Sequence, residues 1–443
     1  MLGLTKTTGI PDKKRDKKRL FYDCVFAAGY LFSLIPGPKP NLSSVASILL
    51  LACIAISFFD ENFYLYTAIF IYLRYRILLG DSPAFRLYSY LVVLKFLIEM
   101  PKTKFRAAYF PALFVFFMHS IFATGRFENM RIGLNVIVDV VLIYIVLLKV
   151  LENDNLMRKF ILVFMLGGVA SGIYGWTNSD FTKDINISGA GAQTVSRNFG
   201  ALSDANFAGL FYSLCIVCTI VLKNLKLWAR GIFLALFAIM LLQTASLSAL
   251  LITGVLTVFY IILKFRKKSI LILSAAFFLF VIAIAVILAV PQLREIPAIS
   301  GLIIRITEKL SYIPRGRWDL LTTDRSAIWG EAIGIFNNKE LWGKLIGGSV
   351  ITVMVIDKSI ISIACHNSYI QSILNFGIIG TLTVYLPLLG VFLYRLFKHF
   401  STPPGYRTED IKMLQLIFTF AFIIFGFTVD FFIDWTFMML YFI

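Results

Sequence analysis

The sequence predicts an all-α, polytopic integral membrane protein of about 12–14 transmembrane helices, with a large extracytoplasmic loop containing short helices. Three observations predict it. Hydrophobic residues make up 59% of the chain and charged residues only 15%, where a water-soluble domain carries about a quarter charged. Apolar runs of about 17–25 residues follow one another along most of its length. One long polar stretch, Pro291 to Tyr369, interrupts them, and it is far longer than a connection between spans needs.

The apolar runs fall near 20–36, 41–58, 62–79, 84–100, 105–123, 131–151 and 158–177, then near 205–222, 228–244, 246–263, 269–290, 372–397 and 411–430. The basic segment Lys13 to Arg19 precedes the first run like a signal sequence. The Pro36-Gly37-Pro38-Lys39-Pro40 that follows is not a small-x-small cleavage site, so a retained first helix with a cytoplasmic N-terminus is expected. The basic loops at Lys102/Lys104/Arg106, Arg158/Lys159, Lys223/Lys226/Arg230, Lys264–Lys268 and Arg395/Lys398/Arg407 then all fall inside, as the distribution of Lys and Arg requires. Segments 178–203 and 291–365 fall outside. Arg74, Arg76 and Arg86 run against this bias. Most of the net charge of +17 sits in short loops, and nucleic acid is not an expected partner. The chain divides into an N-terminal bundle, 1–290, an outer loop, 291–365, and C-terminal helices, 366–443. Trp318, Trp329 and Trp342 offer that loop the apolar surface for a small folded cap.

Of the five cysteines, Cys24, Cys53, Cys215 and Cys218 lie in apolar runs and read as structural. Cys365 alone is expected to be exposed. Among the three histidines, His119 reads as a hydrogen-bonded helix residue and His399 as a cation at a helix end. His366 stands outside, where a membrane helix starts, beside Asn367, Ser368 and Tyr369. Two readings stay open: a general base, or a helix-start cluster capped by Asn367 or Ser368. Arg325 follows Asp324 at a helix start, where a cation opposes the dipole unless an anion binds; the alternative is a surface pair with Asp324 or Glu331. Arg197 precedes a second outer helix start, Asp204-Ala205-Asn206, with lipid-surface snorkelling as its alternative. Lys95, Asp139 and Asp430 are intramembrane charges that an ion path would need. Cys215-x-x-Cys218 has metal-like spacing but lies in an apolar run with no second pair. No cluster of His, Asp and Glu in the outer segments has metal-ligand spacing and no Gly-rich phosphate loop is present in the sequence, so no metal or cofactor is expected.

The run from Cys365-His366-Asn367-Ser368-Tyr369 to Gly377-Ile378-Ile379-Gly380 resembles the histidine-asparagine signature of bacterial O-antigen and capsular polysaccharide polymerases, a family that shares its superfamily with O-antigen ligases. Arg325 to Trp329 with Gly347-Gly348, and Arg197-Asn198-Phe199-Gly200 with Asp204-Ala205-Asn206, resemble two further segments of that family. Ala205 replaces a usual proline, and Ser246-Leu247-Ser248-Ala249 lacks a usual arginine. The resemblance implies a metal-independent membrane glycosyltransferase. It would polymerise undecaprenyl-diphosphate-linked repeat units on the outer face of the cytoplasmic membrane, with a chain-length regulator and a flippase as partners beside the lipid bilayer. It implies His366 as base, Arg197 and Arg325 as diphosphate ligands, and Arg305, Arg315, Arg317, Trp329, Asn367, Tyr369 and Asn206 as substrate-binding residues. A ligase is the nearest alternative. A lipid-linked oligosaccharide flippase is the alternative from another class, but it would carry its cations within the spans.

Overall fold

The computed structural model describes residues 13–35, 43–70, 83–102, 106–122, 127–177, 182–187, 193–200, 202, 204–223, 225–314, 316, 325–347, 352–356, 359–363, 365–402, 410–429 and 440–441. The helices of the first half are α1 (Lys13–Ser33), α2 (Ser44–Ile56), α3 (Pro83–Glu99), α4 (Phe110–Phe122), α5 (Phe127–Glu152) and α6 (Asp154–Thr177). After a hairpin, β1 (Thr182–Ile187) and β2 (Gln193–Asn198), come α7 (Ala205–Val221), α8 (Leu227–Gln243), α9 (Leu247–Phe265) and α10 (Ser269–Ala289). The long loop holds α11 (Pro291–Glu295), α12 (Pro297–Tyr312), α13 (Arg325–Asn337) and α14 (Leu341–Ile346), then the hairpin β3 (Thr352–Ile356) and β4 (Ser359–Ile363). The chain closes with α15 (Ser368–Ser401) and α16 (Asp410–Phe425).

Caps fix many of these boundaries. Ser43 Oγ accepts from Ala46 N at 3.1 Å to start α2, and Asp204 Oδ1 accepts from Asn206 N at 2.7 Å to start α7; each answers an N–H that has no partner within the helix. Among the described residues, three helical stretches are long and apolar enough to cross a membrane: Asp154–Thr177, Leu247–Ile287 and Ser368–Ser401. In the second, the basic turn Arg266–Lys268 separates α9 from α10. Shorter apolar helices stand beside them at Ser44–Phe59, Ala205–Val221 and Leu227–Gln243.

The helical class therefore stands, with two short antiparallel hairpins added. The run near 62–79 opens as a 3-10 turn, Glu61–Leu65, and continues helically through residue 70. Its remainder, with Arg74 and Arg76, lies outside the described residues, and so do the side chain of Arg86, Trp318 and Asp430. Among the described residues the loop cap has a core, and it holds no tryptophan. Ala332, Cys365 and Leu374 form it, with Ile335, Phe336 and Ile370 against them, while Trp342 is 68% exposed.

Contacts at the helix ends define two ends of the bundle. At one, Arg158 near the start of α6 grips both carboxylate oxygens of Asp410 at the start of α16. Lys223 N, just past the end of α7, donates to the same carboxylate at 3.2 Å. Arg266, after α9, donates to the carbonyls of His399 and Phe400 at the end of α15. Lys159 pairs with Asp23 of α1, Lys149 of α5 with Glu99 of α3, and Asn153 bonds Glu61. The basic positions 158, 159, 223 and 266, which the charge distribution predicts on one side, thus lie at one end. The other ends of α6 to α9, α15 and α16 meet at the opposite pole. α7, 17 residues long, separates the two by about 25 Å at 1.5 Å per residue.

A candidate anion site

At that opposite pole, segments from five regions of the chain converge. β2 contributes Arg197, which is buried. Its Nε donates to Thr244 O at 2.8 Å, and its terminal nitrogen donates to Asn206 Oδ1 at 3.0 Å. Ser246 Oγ donates to the same amide oxygen at 2.9 Å, so Asn206 holds Arg197 against the α8–α9 turn. The turn after β2 needs Gly200, whose φ is +56°; a Cβ there would lie 2.5 Å from both Ser171 Oγ and Tyr212 Oη.

The next two arginines come from the long loop. Arg305 of α12 donates to Ala245 O at 2.8 Å. Arg325, the first residue of α13, donates to Thr428 O at 3.1 Å. The cation that opposes its own helix dipole therefore sits beyond the C-terminus of α16, where positive charge is favoured. Arg197 and Arg305 do likewise at the C-terminus of α8. Ala245, whose carbonyl Arg305 uses, has φ +46°; a β-carbon makes that region unfavourable by about 1–2 kcal/mol.

His366 has φ +50° and is held on both sides. Before it, Cys365 is fully buried. Its N–H donates to Gln371 Oε1 at 3.0 Å and its carbonyl accepts from Trp329 Nε1 at 2.9 Å. After it, Asn367 Oδ1 accepts from Tyr369 N and Ile370 N. Ser368 N and Oγ donate to Gly426 O and Val429 O. The strained turn projects a half-buried imidazole that makes no hydrogen bond to the described residues.

The half-helix that His366 precedes is itself fixed. α15 is broken at Gly377, φ +67° and ψ −174°. A Cβ there would lie 2.4 Å from Gly347 N, so the end of α14 presses directly on the break. Lys339 Nζ donates to Leu374 O at 2.7 Å, capping the carbonyl end of the first half.

These groups feel one another. Burial, then Arg305, then Arg325 push the Arg197 guanidinium down to about 10, with Asp204 opposing. Burial lowers Arg305 and Arg325 as well; Glu308 and Asp204 oppose it at Arg305, and Asp204 opposes it at Arg325 while Arg305 adds to it. Burial and the neighbouring Arg325 cation lower His366 below the usual imidazole value, against Asp204. The imidazole is therefore neutral at pH 7. Three cations are gathered without an ion pair among the described residues, and most of their N–H donors have no protein acceptor there. None of those donors is sealed off: the buried unpartnered side-chain atoms among the described residues are Arg230 Nε, Arg266 Nε and Thr381 Oγ1. The arrangement is an open set of guanidinium forks, suited to an oxyanion.

Four of the sequence-selected residues thus converge: Arg197, Arg305, Arg325 and His366. Arg315 and Arg317 lie outside the described residues. Four others take positioning roles. Asn206 anchors Arg197, Trp329 ties α13 to the turn before His366, and Asn367 is a helix cap with both amide-oxygen bonds directed to backbone. Tyr369 packs its half-buried ring on Tyr385 and Phe427 and donates to Ile423 O. Cys365 is buried, not exposed, because it forms part of the cap core. His399 is structural, bonding Leu263 O at 3.0 Å. Lys95 is satisfied by Asp60 O at 2.8 Å and Glu99 at 3.6 Å. The side chains of His119 and Asp139 lie outside the described residues. Sequence reasoning missed Thr244, Ala245, Thr428 and Gln371, which act through backbone or amide groups, and the electrostatic part of Asp204.

No family model, no curated protein and no solved structure matches this chain. The functional reading rests on the site's own residues.

Proposed function

We propose that the protein is a multi-pass enzyme of the cytoplasmic membrane that transfers glycans from a polyprenyl-diphosphate carrier at its outer face, extending a surface polysaccharide one repeat unit at a time. The observation that carries this reading is the convergence of Arg197, Arg305 and Arg325 around His366 with too little negative charge to neutralise them. A diphosphate supplies that charge. Its oxygens match the forked donors, and it is the leaving group when the bond between the sugar's anomeric carbon and the diphosphate oxygen breaks.

In this scheme the acceptor hydroxyl oxygen attacks the anomeric carbon, the carbon–oxygen bond to the diphosphate breaks with its electron pair, and His366 accepts the hydroxyl proton. The arginines stabilise the charge that grows on the leaving diphosphate. Arg325 couples the two halves of the site. In the empty site it adds to burial in disfavouring the imidazolium of His366; a bound diphosphate screens that cation and makes the imidazole a stronger base when the donor is present. The topology supports the same reading, because the basic loops lie at one pole and this cluster at the other.

Mass spectrometry of lipid-linked glycans from cells lacking the protein tests it. Accumulated single repeat units are the expected result. Accumulated long chains would assign a ligase instead, and an unchanged lipid pool would remove glycan transfer altogether.

A further inference from the structure

α12 has two faces. On one, Gly301 lies against Val195 of β2, its Cβ position 3.0 Å from Val195 Cγ1. Ile304 packs on Val195 and Ala245, Arg305 bonds Ala245 O, and Tyr312 is buried with its hydroxyl on Glu308. The opposite face is apolar and open. Ile306 is 41%, Leu310 58% and Ile313 43% exposed, and Ile296, just before the helix, is 42% exposed. Ile299 and Ile303 continue the row half-buried. Positions 296, 299, 303, 306, 310 and 313 recur at steps of three and four, which places them on one side of a helix.

Such a ridge on a 16-residue helix runs about 24 Å, and water does not normally meet so continuous an apolar strip. What covers it follows from the level at which the helix starts. α10 is apolar all round and belongs to a stretch long enough to cross a membrane. It ends at Ala289, and α11 begins two residues later with a proline in its first turn. α11 advances only about 8 Å, and α12 then opens with a second proline. The helix therefore begins where the apolar span ends, at the level of the lipid headgroups. Charged residues bracket the ridge in sequence, Arg294 and Glu295 before it and Glu308 and Lys309 beside Leu310, the polar setting that the headgroup level provides.

We infer that α12 is an interfacial helix whose outer row, Ile296 to Ile313, is seated in the acyl chains of the leaflet on the site's side, while its inner row holds Arg305 in the anion site. The lipid surface then forms one wall of the site and sets the height of Arg305 relative to a diphosphate at the headgroup level. The inference rests on the membrane reading of the helices and is independent of glycosyl transfer.

The test uses the full-length protein in nanodiscs of phosphatidylcholine and phosphatidylglycerol, one copy per disc. In a Cys24→Ser background, Ile306→Cys and Leu310→Cys are each labelled with an environment-sensitive fluorophore and exposed to lipids carrying a shallow or a deep nitroxide quencher. The shallow quencher should lower emission at both positions by about half or more, and more than the deep one, as befits a helix in the headgroup–acyl boundary. Unquenched emission at both positions overturns the inference. Cross-linking of unlabelled Leu310→Cys between copies in native membrane vesicles, together with unquenched label in the discs, also overturns it, by assigning the face to a second copy of the chain. A measurement without label stands beside it. Ile306→Asp with Leu310→Asp should raise hydrogen exchange of the α12 amides in nanodiscs at least about tenfold, and unchanged protection contradicts lipid seating.

Discussion

At one pole of the bundle Arg158 grips the two oxygens of the buried Asp410, Lys159 reaches Asp23 and Lys149 reaches Glu99. At the other pole Arg197, Arg305 and Arg325 find backbone carbonyls and one amide oxygen, and no carboxylate within ion-pair distance among the described residues. The contrast separates two uses of the same charge. A cation matched to a carboxylate stabilises the helix ends it joins and has little left for a ligand. Cations held by the weak negative ends of helices keep their position and most of their donors, and their mutual repulsion falls when an anion arrives. The second arrangement costs stability in the empty protein, and such costs concentrate at functional sites.

Substitutions should therefore behave differently at the two poles. The largest effect is expected at His366. His366→Ala should lose glycan transfer by about 10²–10⁴-fold while inserting and folding normally, as quantitative transfer assays and size-exclusion profiles would show. A fully active His366→Asn would remove the base. At the paired pole, Arg158→Ala strands a buried carboxylate and should destabilise the fold by about 3–5 kcal/mol. Thermal denaturation in detergent reads this out, whereas Arg325→Ala should leave the melting temperature near the wild-type value or above it. Equal destabilisation by the two would erase the distinction between the poles.

A smaller effect separates charge from fork geometry. Arg325→Lys should recover part of the activity that Arg325→Ala loses, because a point charge attracts the diphosphate but cannot bond two of its oxygens at once. Full recovery would reduce the residue to a source of charge.

The pH dependence sharpens the electrostatic side. Burial and Arg325 hold His366 below the ordinary imidazole value of about 6.5, and a general base works in its neutral form. At donor concentrations far below saturation, where the free enzyme's groups set the rate, transfer should thus rise with pH through a value below 6.5. Asp204→Asn removes the one group that raises His366, so the acid limb of its residual activity should move to lower pH. A limb moving to higher pH would contradict the placement of Asp204.

Much of this fold was legible in the chain because long, uninterrupted apolar runs mark where its helices lie. α6 through α10 and α16 begin and end close to the predicted runs. The hairpin carrying Arg197 was not legible: segment 182–198 is polar, short and without strict alternation. Nor was the break in α15, since Gly377 sits in a mostly apolar run and only the close approach of the Leu345 and Gly347 backbone shows why glycine is needed. The site was half legible. Arg197, Arg325 and His366 stood out as polar residues at helix starts, yet Arg197 and Arg325 are held by the carbonyls of Thr244 and Thr428, and Arg305 by that of Ala245, groups every residue possesses and no sequence marks. Cys365 misled in the opposite way, because its position in a polar loop concealed the small core it helps to fill.

The most direct test of the central claim is binding rather than turnover. Undecaprenyl diphosphate titrated onto the purified protein in nanodiscs, read by native mass spectrometry, should bind the wild-type protein with an affinity that falls as salt rises. Arg197→Ala and Arg325→Ala should each weaken it by about tenfold or more, the loss of one charge-assisted bidentate contact, and His366→Ala should bind as tightly as wild type. Equal affinity in the wild type and both arginine variants would contradict the account, because the three cations would then be gathered for something other than a diphosphate.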